Sequence, residues 1–458
     1  LYQLSYRLIN TATFKIIQNV KDFLYNSFMS ATGKIASNTF YQLLAKGISV
    51  FSTVVATALI TRGMGISSFG TFFLMTGFAT YFFLLVDFGI NTIATRETAH
   101  DKSQIPQLFN SILALRLTYS VVLVIFLTLI LPLIPFKLGD LPTLRLGIFI
   151  GLLAIISQAV YNTCTIVFQS TLNYQKTLIG SFIGNLVFLF LAIIIIFNSK
   201  NVLLLVTANT IGTIIVSLVA YYLVKSFVGK VSLNFDYKLW RRLVISALPL
   251  GITMFLTVIV SKADSFLLSV LNLPASLHMS NADALGNYGL AYKIFENILV
   301  FPTFFVNALF PVMVIHRKEG SNKLKETLIK SLGAMVIISV IIGIIGYYFS
   351  PLAIFVLSGQ GEASAAVLAL RLLILGLPFF FCSAVLLFFL ITEGLERQLP
   401  WVYGVAAVFN VVSNVAFIPR YGFTASAILT GITEFLIFVL LLFISIFHLR
   451  RVSYHEKV

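Results

Sequence analysis

Charge is what this sequence has least of. Only 10% of its 458 residues are Asp, Glu, Lys or Arg, while 59% are hydrophobic and the mean hydropathy is +0.99. A typical soluble domain carries about 25% charged residues, so a water-facing surface around a chain of this length is excluded. Cysteine is scarce too. Cys164 and Cys382 both stand in apolar runs, which leaves neither a disulfide framework nor a cysteine metal site. The histidines at 100, 278, 316, 448 and 455 fall in loops or at the ends of apolar runs, with no metal-ligand or catalytic spacing. Long polar segments are missing as well, so no extramembrane domain is expected to house an enzyme. The net charge of +15 could point to nucleic acid. The basic residues, however, sit in short loops between apolar runs, where membrane topology accounts for them, and no nucleic-acid partner is expected.

What the sequence has in abundance is long apolar runs. Crossing a ~30 Å hydrocarbon layer takes ~20 such residues. Runs of that kind occupy roughly 39–61, 68–94, 109–135, 146–169, 178–197 and 202–224, and then 243–271, 285–314, 327–349, 365–391, 400–418 and 424–448. The first is followed at once by the second, so it reads as a span and not as a processed leader. Twelve spans put both termini on one side. With that side inside, inner segments hold 21 Lys and Arg, outer loops hold 5, and the other 5 lie within spans. Lys and Arg concentrate on the cytoplasmic side, so both termini are expected in the cytoplasm.

The expected fold class is therefore an all-α polytopic membrane protein with two six-helix bundles around a central cavity. The longest inner loop, 226–240, divides a lobe at 34–225 from a second at 241–449, with a tail at 450–458. Residues 1–33 mix aliphatics, aromatics and scattered Lys and Arg; they read as an interfacial amphipathic segment or as a mobile extension. The halves echo each other. Ser68-Phe69-Gly70-Thr71-Phe72 stands between spans one and two, and Asn287-Tyr288-Gly289-Leu290-Ala291 stands between spans seven and eight. Such correspondence suggests parallel six-helix repeats, a common plan for alternating-access transporters.

Nine ionisable groups fall inside spans: Lys46, Asp87, Arg116, Lys262, Asp264, Lys293, Glu296, Arg371 and Glu434. Each costs a few kcal/mol or more unless it faces the bundle interior, a cavity or a partner. Lys46, Asp87 and Arg116 share a depth and are expected to form one polar cluster. Lys262, Lys293 and Arg371 lie nearer the outer half. Cations at staggered depths suit the passage of an anion such as a pyrophosphate, because they replace lost hydration. Lys293 and Glu296, three apart on one helix, are expected either to neutralise each other or to line the cavity. Lys262 and Asp264 point to different faces, so each needs another partner or a cavity. Arg371 can snorkel to a span end. Glu434 is a candidate proton or cation site, or the partner in an interhelical hydrogen bond. No group of residues is spaced for a metal.

Several motifs, in order along the chain, resemble a known family. They are SNTFYQLL at 37–44, ITRGMGISSFGTFFL at 60–74, LLVDFGINTIATRE at 84–97, ALPLG at 247–251, SKADSFLL at 261–268 and IPRYGFTASAILT at 418–430. Together they are similar to the polysaccharide (O-antigen type) flippases of the multidrug/oligosaccharidyl-lipid/polysaccharide exporter superfamily. The resemblance runs from about Ala36 to the C-terminus. Thr424 and Ser426 depart from the family's small-residue turn. The resemblance implies a two-lobed, twelve-helix transporter in the cell membrane, and no enzyme. It would carry a polyprenyl-pyrophosphate-linked oligosaccharide from the inner to the outer leaflet, in company with polysaccharide polymerase machinery. It implies no cofactor beyond a coupling Na+ or H+. On depth and charge, Lys46, Arg116, Lys262 and Lys293 are the candidates for the head group. Asp87, Asp264 and Glu434 are the candidates for ion coupling. Asp87, Arg96 and Glu97 match the family's span-two ending, as a cytoplasmic gate or a helix-end anchor. The alternative is a multidrug and toxin exporter of the same superfamily, which would want an acidic cavity. A major-facilitator loop after span two is absent, since TRETAHDKSQ at 95–104 has none of its pattern.

Overall fold

The structure, a computed structural model, describes residues 31–100, 102–359 and 364–455. The interfacial segment expected at 1–33 therefore lies outside the described residues, apart from the three that open the first helix. Among the described residues eleven helical spans, or twelve with the bent pair at 365–392 taken as one, follow at the expected places. They are built from α1 (Ala31–Met64), α2 (Ile66–Asp87) with α3 (Ile90–His100), α4 (Ile105–Ile130), α5 (Leu141–Ser170), α6 (Gln175–Asn198) and α7 (Val202–Val228). Then come α8 (Tyr237–Val270), α9 (Asn281–Ile298) with α10 (Val300–Glu319), and α11 (Ser321–Ser358). The last are α12 (Ala365–Ile374) with α13 (Leu377–Thr392), α14 (Leu399–Tyr421) and α15 (Phe423–His455). Only helices satisfy every backbone group within one segment in hydrocarbon, and among the described residues there is no strand.

Three spans are broken, each at a readable place. Pro302 and Pro378 stand in the first turns of α10 and α13, where a missing N–H costs nothing because that donor has no helical partner. The helix restarts there instead of running through, and α12 and α13 meet at a bend of 42°. Span seven differs: α8 runs unbroken through Pro249, as α10 does through Pro311. The third break is at Phe88–Gly89, where Phe88 takes a left-handed conformation (φ 46°) and its N–H still reaches the Leu84 carbonyl at 2.7 Å.

The first six spans pack mainly on one another, as do the last six, and the two groups meet along α2 against α8 and α9 and along α1 against α11. The echoing motifs are themselves part of this seam. A Cβ on Gly70 would overlap the Ala282 carbonyl and lie 2.6 Å from the Gly286 nitrogen, while one on Gly286 would strike the Ile66 carbonyl. Backbone thus meets backbone where α2 crosses α9, which only glycine permits. At the same end Arg62 Nη2 donates to the Phe355 carbonyl at 2.9 Å, and the Lys137 N–H donates to the Ser269 carbonyl at 2.8 Å. The groups are therefore closed on each other at the end bearing the α1–α2 and α8–α9 turns. Toward the opposite end, a recess of about 510 Å³ separates α1 from the α9–α10 break. The connection 229–236 and the start of α8 are tacked to α4 there, with the Ser232 N–H donating to Asn110 Oδ1 at 3.1 Å and Trp240 Nε1 donating to the Ser111 carbonyl at 3.0 Å.

Adding a methyl group at the crossing should favour the open form of that end. Overpacking costs about 1–3 kcal/mol, so Gly286→Ala should move an open–closed equilibrium by roughly one to two powers of ten. Spin labels across the α2–α9 seam should show a longer distance population, and an unchanged distribution would mean the crossing is not the closure.

Candidate functional site

Between the two groups lies a cavity of about 220 Å³. α1, α2 and α7 supply Thr57, Thr76, Thr80, Asn209 and Thr210 to its walls, with Phe69, Phe73 and Tyr81. The other group contributes two side chains, Lys262 from α8 and Lys293 from α9. Both lysines turn to one carboxylate. Lys262 Nζ lies 3.1 Å from Glu296 Oε1 and Lys293 Nζ lies 3.4 Å from Glu296 Oε2. Lys262 also sits 4.7 Å above the Tyr292 ring, whose hydroxyl donates to the Ser261 carbonyl at 2.7 Å. Aromatic faces attract cations, so the ring holds the ammonium in place without neutralising it. Two ammoniums and one carboxylate leave the site with one net positive charge.

Lys46 belongs to this region and not to a cluster with Asp87 and Arg116. It lines the neighbouring recess together with Ser49, Tyr161, Ser181 and Glu296. Shared depth proved insufficient because Lys46 faces the recess while Asp87 and Arg116 pair with each other elsewhere in the first helix group. Arg116 is sealed at 1% exposure, with Nη2 at 2.8 Å from Asp87 Oδ1 and 2.9 Å from Asn91 Oδ1. It bridges the two helices of the broken second span, binding the last residue of α2 and the second of α3. That placement is away from the central cavity, where the charge pattern had grouped it with the head-group cations. Glu97 pairs at 3.0 Å with the exposed Arg242 of α8, which joins the two groups at the loop end. The side chain of Arg96 lies outside the described residues.

Asp264 is fully buried, as its neighbour on α8, Lys262, is not. The hydroxyl of Tyr288 donates to Oδ2, and Thr430 Oγ1 does so at 2.8 Å. Among the described residues Oδ1 has no hydrogen-bond partner. A polar chain continues from Thr430 through α14 and α15. Ser426 Oγ donates to Asn414 Oδ1 at 3.1 Å, Asn414 Nδ2 donates to the Asn410 carbonyl at 3.0 Å, and Asn410 Nδ2 donates to Thr433 Oγ1 at 3.2 Å. Glu434 follows Thr433 on α15, buried and, among the described residues, without an ion-pair partner. These uncharged members escaped the search for ionisable groups. Their spacing was the available signal, since Asn410/Asn414 and Ser426/Thr430 each lie four apart and so on one helix face. Arg371 donates to Ser350 Oγ at 3.2 Å and lies over the Tyr347 ring at 4.9 Å, held against α11 near its end. Among the described residues no three His, Cys, Asp or Glu side chains are placed to hold a metal ion.

The sequence profile of the polysaccharide biosynthesis protein family matches residues 35–316. The chain belongs to that family. This polysaccharide biosynthesis family member also shares its fold with solved transporters. An inward-facing multidrug resistance MATE family transporter of the MOP superfamily superposes with a TM-score of 0.70 at 13% identity, covering 88% of this chain and 96% of its own. The lipid II flippase MurJ, in an inward closed conformation, superposes at 0.66 and 16% identity, covering 89% and 87%. A MOP superfamily transporter from Pyrococcus furiosus, described as having a binding pocket of reverse polarity, superposes at 0.61 and 14% identity, covering 92% and 96%. No curated protein sequence matches the chain. The protein is thus a multi-pass membrane protein of MOP-superfamily fold.

Breaking a buried ion pair by removing one partner typically costs about 3–5 kcal/mol, while replacing both with apolar residues is often neutral. Arg116→Met should therefore lower the thermal midpoint in detergent sharply, and Arg116→Met combined with Asp87→Leu should recover most of the loss. Equal damage from single and double variants would argue that the pair acts on more than the α2–α3 break.

Proposed function

We propose that this protein is a flippase, and not an enzyme, that moves a polyprenyl-pyrophosphate-linked oligosaccharide across the cell membrane by alternating access. The observation that carries the reading is the cavity's surplus cation. Lys262 and Lys293 share the single carboxylate of Glu296. A pyrophosphate can displace Glu296 from one ammonium and gain two charge-assisted hydrogen bonds in a site of low dielectric. Lys46, lining the recess beside Glu296, supplies a first cationic stop on the way in. Threonines, Asn209 and the aromatic rings offer hydrogen bonds and stacking faces to sugar. Membership of the polysaccharide biosynthesis family supports a saccharide cargo.

The charge rule puts both termini in the cytoplasm. On that orientation the closed α2–α9 crossing is at the outer face and the recess opens inward, so the conformation is one that receives cargo from the inner leaflet. A lipid-linked repeat delivered to the outer leaflet would be consumed by a polymerase, which is the partner class this reading implies. For coupling, Asp264 is the strongest candidate. One of its oxygens lacks a partner among the described residues, and Tyr288 and Thr430 surround it with hydroxyls that can reorient around a bound Na+ or H+. A cationic-drug exporter would have to place its cargo beside two ammoniums, which disfavours that alternative.

The test is flipping of a fluorescent polyprenyl-pyrophosphate oligosaccharide in proteoliposomes, scored by protection from an impermeant quencher, with ethidium efflux measured in parallel. Gradient-stimulated flipping without ethidium transport is expected; ethidium efflux without flipping would make the protein a drug exporter. Lys262→Glu should slow flipping by roughly 10–100-fold, the worth of a charge-assisted hydrogen bond of about 1.5–3 kcal/mol, in protein that elutes as a normal monodisperse peak. Full flux in that variant would take Lys262 out of the site. Asp264→Asn should bind the lipid yet lose the stimulation by the Na+ or H+ gradient, and stimulation that survives would move the coupling ion elsewhere.

A further inference from the structure

A lipid whose polar end crosses inside a protein cannot take its hydrocarbon chain along through water. The wall of the cavity therefore needs a place where a polar site and a lipid-facing apolar surface touch. Two residues of the central cavity, Tyr81 and Lys262, also line a separate apolar pocket of about 360 Å³ on the outside of the α2–α8 seam. That pocket in turn shares Ile259 and Val411 with a groove of about 850 Å³ between α8 and α14. The three spaces therefore adjoin one another through shared wall residues, from Lys262 to Trp401.

We infer that the α8–α14 groove is the seat of the substrate's isoprenoid chain, with the Tyr81–Lys262 junction as the opening through which the chain leaves the cavity. This rests on the flippase reading above. The groove wall is aliphatic almost throughout, from Leu256 and Ile259 on one side to Val405, Val408 and Val411 on the other. Its two ends are polar in a way that a membrane lipid groove need not be. One end is the ammonium of Lys262, eight residues or ~12 Å before the end of α8 at a 1.5 Å rise. The other is Trp401, 79% exposed in the first turn of α14, a residue type that sits at the membrane–water interface. From Trp401 to Val412 the groove follows ~16 Å of helix, about half of a ~30 Å hydrocarbon layer. A chain held there keeps its phosphate end at Lys262 and its methylenes out of water. The recess between α1 and the α9–α10 break lies on the other side of the Lys262–Glu296–Lys293 set. It is lined by Gln42, Lys46, Ser49, Thr177 and Glu296 as well as by Leu299, Val300 and Phe304, so it offers a sugar the hydrogen bonds that the aliphatic α8–α14 groove does not.

Gly404 gives the test. It stands in the groove wall, and a Cβ there would lie 3.8 Å from Leu256 Cδ1, so a side chain fits the fold and fills the groove. Leucine also forms helix better than glycine. Full-length protein in proteoliposomes would be labelled with a polyprenyl pyrophosphate bearing a photoreactive group midway along its chain, and the adducts mapped by mass spectrometry. Adducts concentrated on Ile259, Val408 and Val411, reduced at least fivefold in Gly404→Trp and Gly404→Leu and undiminished by a hundredfold excess of phosphatidylglycerol, are expected. Flipping should fall in the same two variants. Adducts near Thr303 and Phe304, or adducts lost to phosphatidylglycerol, would overturn the groove as the chain's seat, as would full flipping with Gly404→Trp, and in each of these cases the flippase reading stands. A wild-type protein that neither labels nor flips this lipid brings down both.

Discussion

A charge in hydrocarbon must either be compensated within the protein or face water, and this molecule is organised around which charges do which. Arg116 is compensated completely, by a carboxylate at 2.8 Å and an amide at 2.9 Å. Glu393 is compensated at the far end of the second helix group, where His448 Nε2 lies 2.5 Å and Arg317 Nε 3.4 Å from its oxygens. Those pairs fix helices to one another. The set of Lys262, Lys293 and Glu296 is different in kind, since one carboxylate serves two ammoniums. Its surplus is affordable only because a cavity stands beside it. The same arithmetic explains why Asp264, two residues from Lys262, behaves differently. It faces Tyr288 and Thr430 inside the second group, where hydroxyls and no cation share its charge.

Backbone contact at the α2–α9 crossing decides where that cavity can open. Helices gain little from burying apolar surface in a membrane, so association depends on close packing and on hydrogen bonds. At Gly70 and Gly286 the packing is as close as two helices allow, and the hydrogen bond from Arg62 to α11 closes the same end. At the other end the second span breaks at Phe88, whose ring lies against Gly251 of α8, and contact passes to side chains and an exposed ion pair. An exposed pair is worth at most about 1 kcal/mol. The two ends are thus unequal. One is a specific steric fit that must be wholly undone to open, and the other is a loose join beside a recess.

The fold was legible almost entirely, because span length and loop charge are local properties of a chain in a bilayer. Pro302 and Pro378 stand just past the breaks at 299 and 375–376, but Pro249 and Pro311 lie inside unbroken helices, so proline alone does not break a span. Pairing was only partly legible. Lys293 and Glu296 sit three apart on one helix, so their contact follows from helical geometry. Lys262 with Glu296, or Arg116 with Asp87, requires knowing which helix faces which. Lys46 illustrates the limit: its depth matched that of Arg116, but its azimuth on α1 sends it to the recess beside Glu296. The uncharged polar chain through Asn410, Asn414 and Ser426 was overlooked for a related reason. Single Asn and Ser residues are tolerated in spans, and their meaning appears only when three helices bring them to one carboxylate.

Lys262 stands where these considerations converge. It borders the cavity, shares a carboxylate with Lys293, rests on Tyr292 and reaches the lipid-facing side of the α2–α8 seam. An ammonium deep inside a lobe would bind a phosphate without regard to the lipid behind it, and one on the outer surface would bind any phospholipid. At the seam it can distinguish an amphiphile whose polar part enters the cavity while its chain stays outside. The seam is also where the two helix groups must slide for the closed end to open. In the proposed alternating-access cycle a cation at that position would meet different neighbours in the two conformations, and differential contact of this kind is what a ligand needs in order to shift an equilibrium between them.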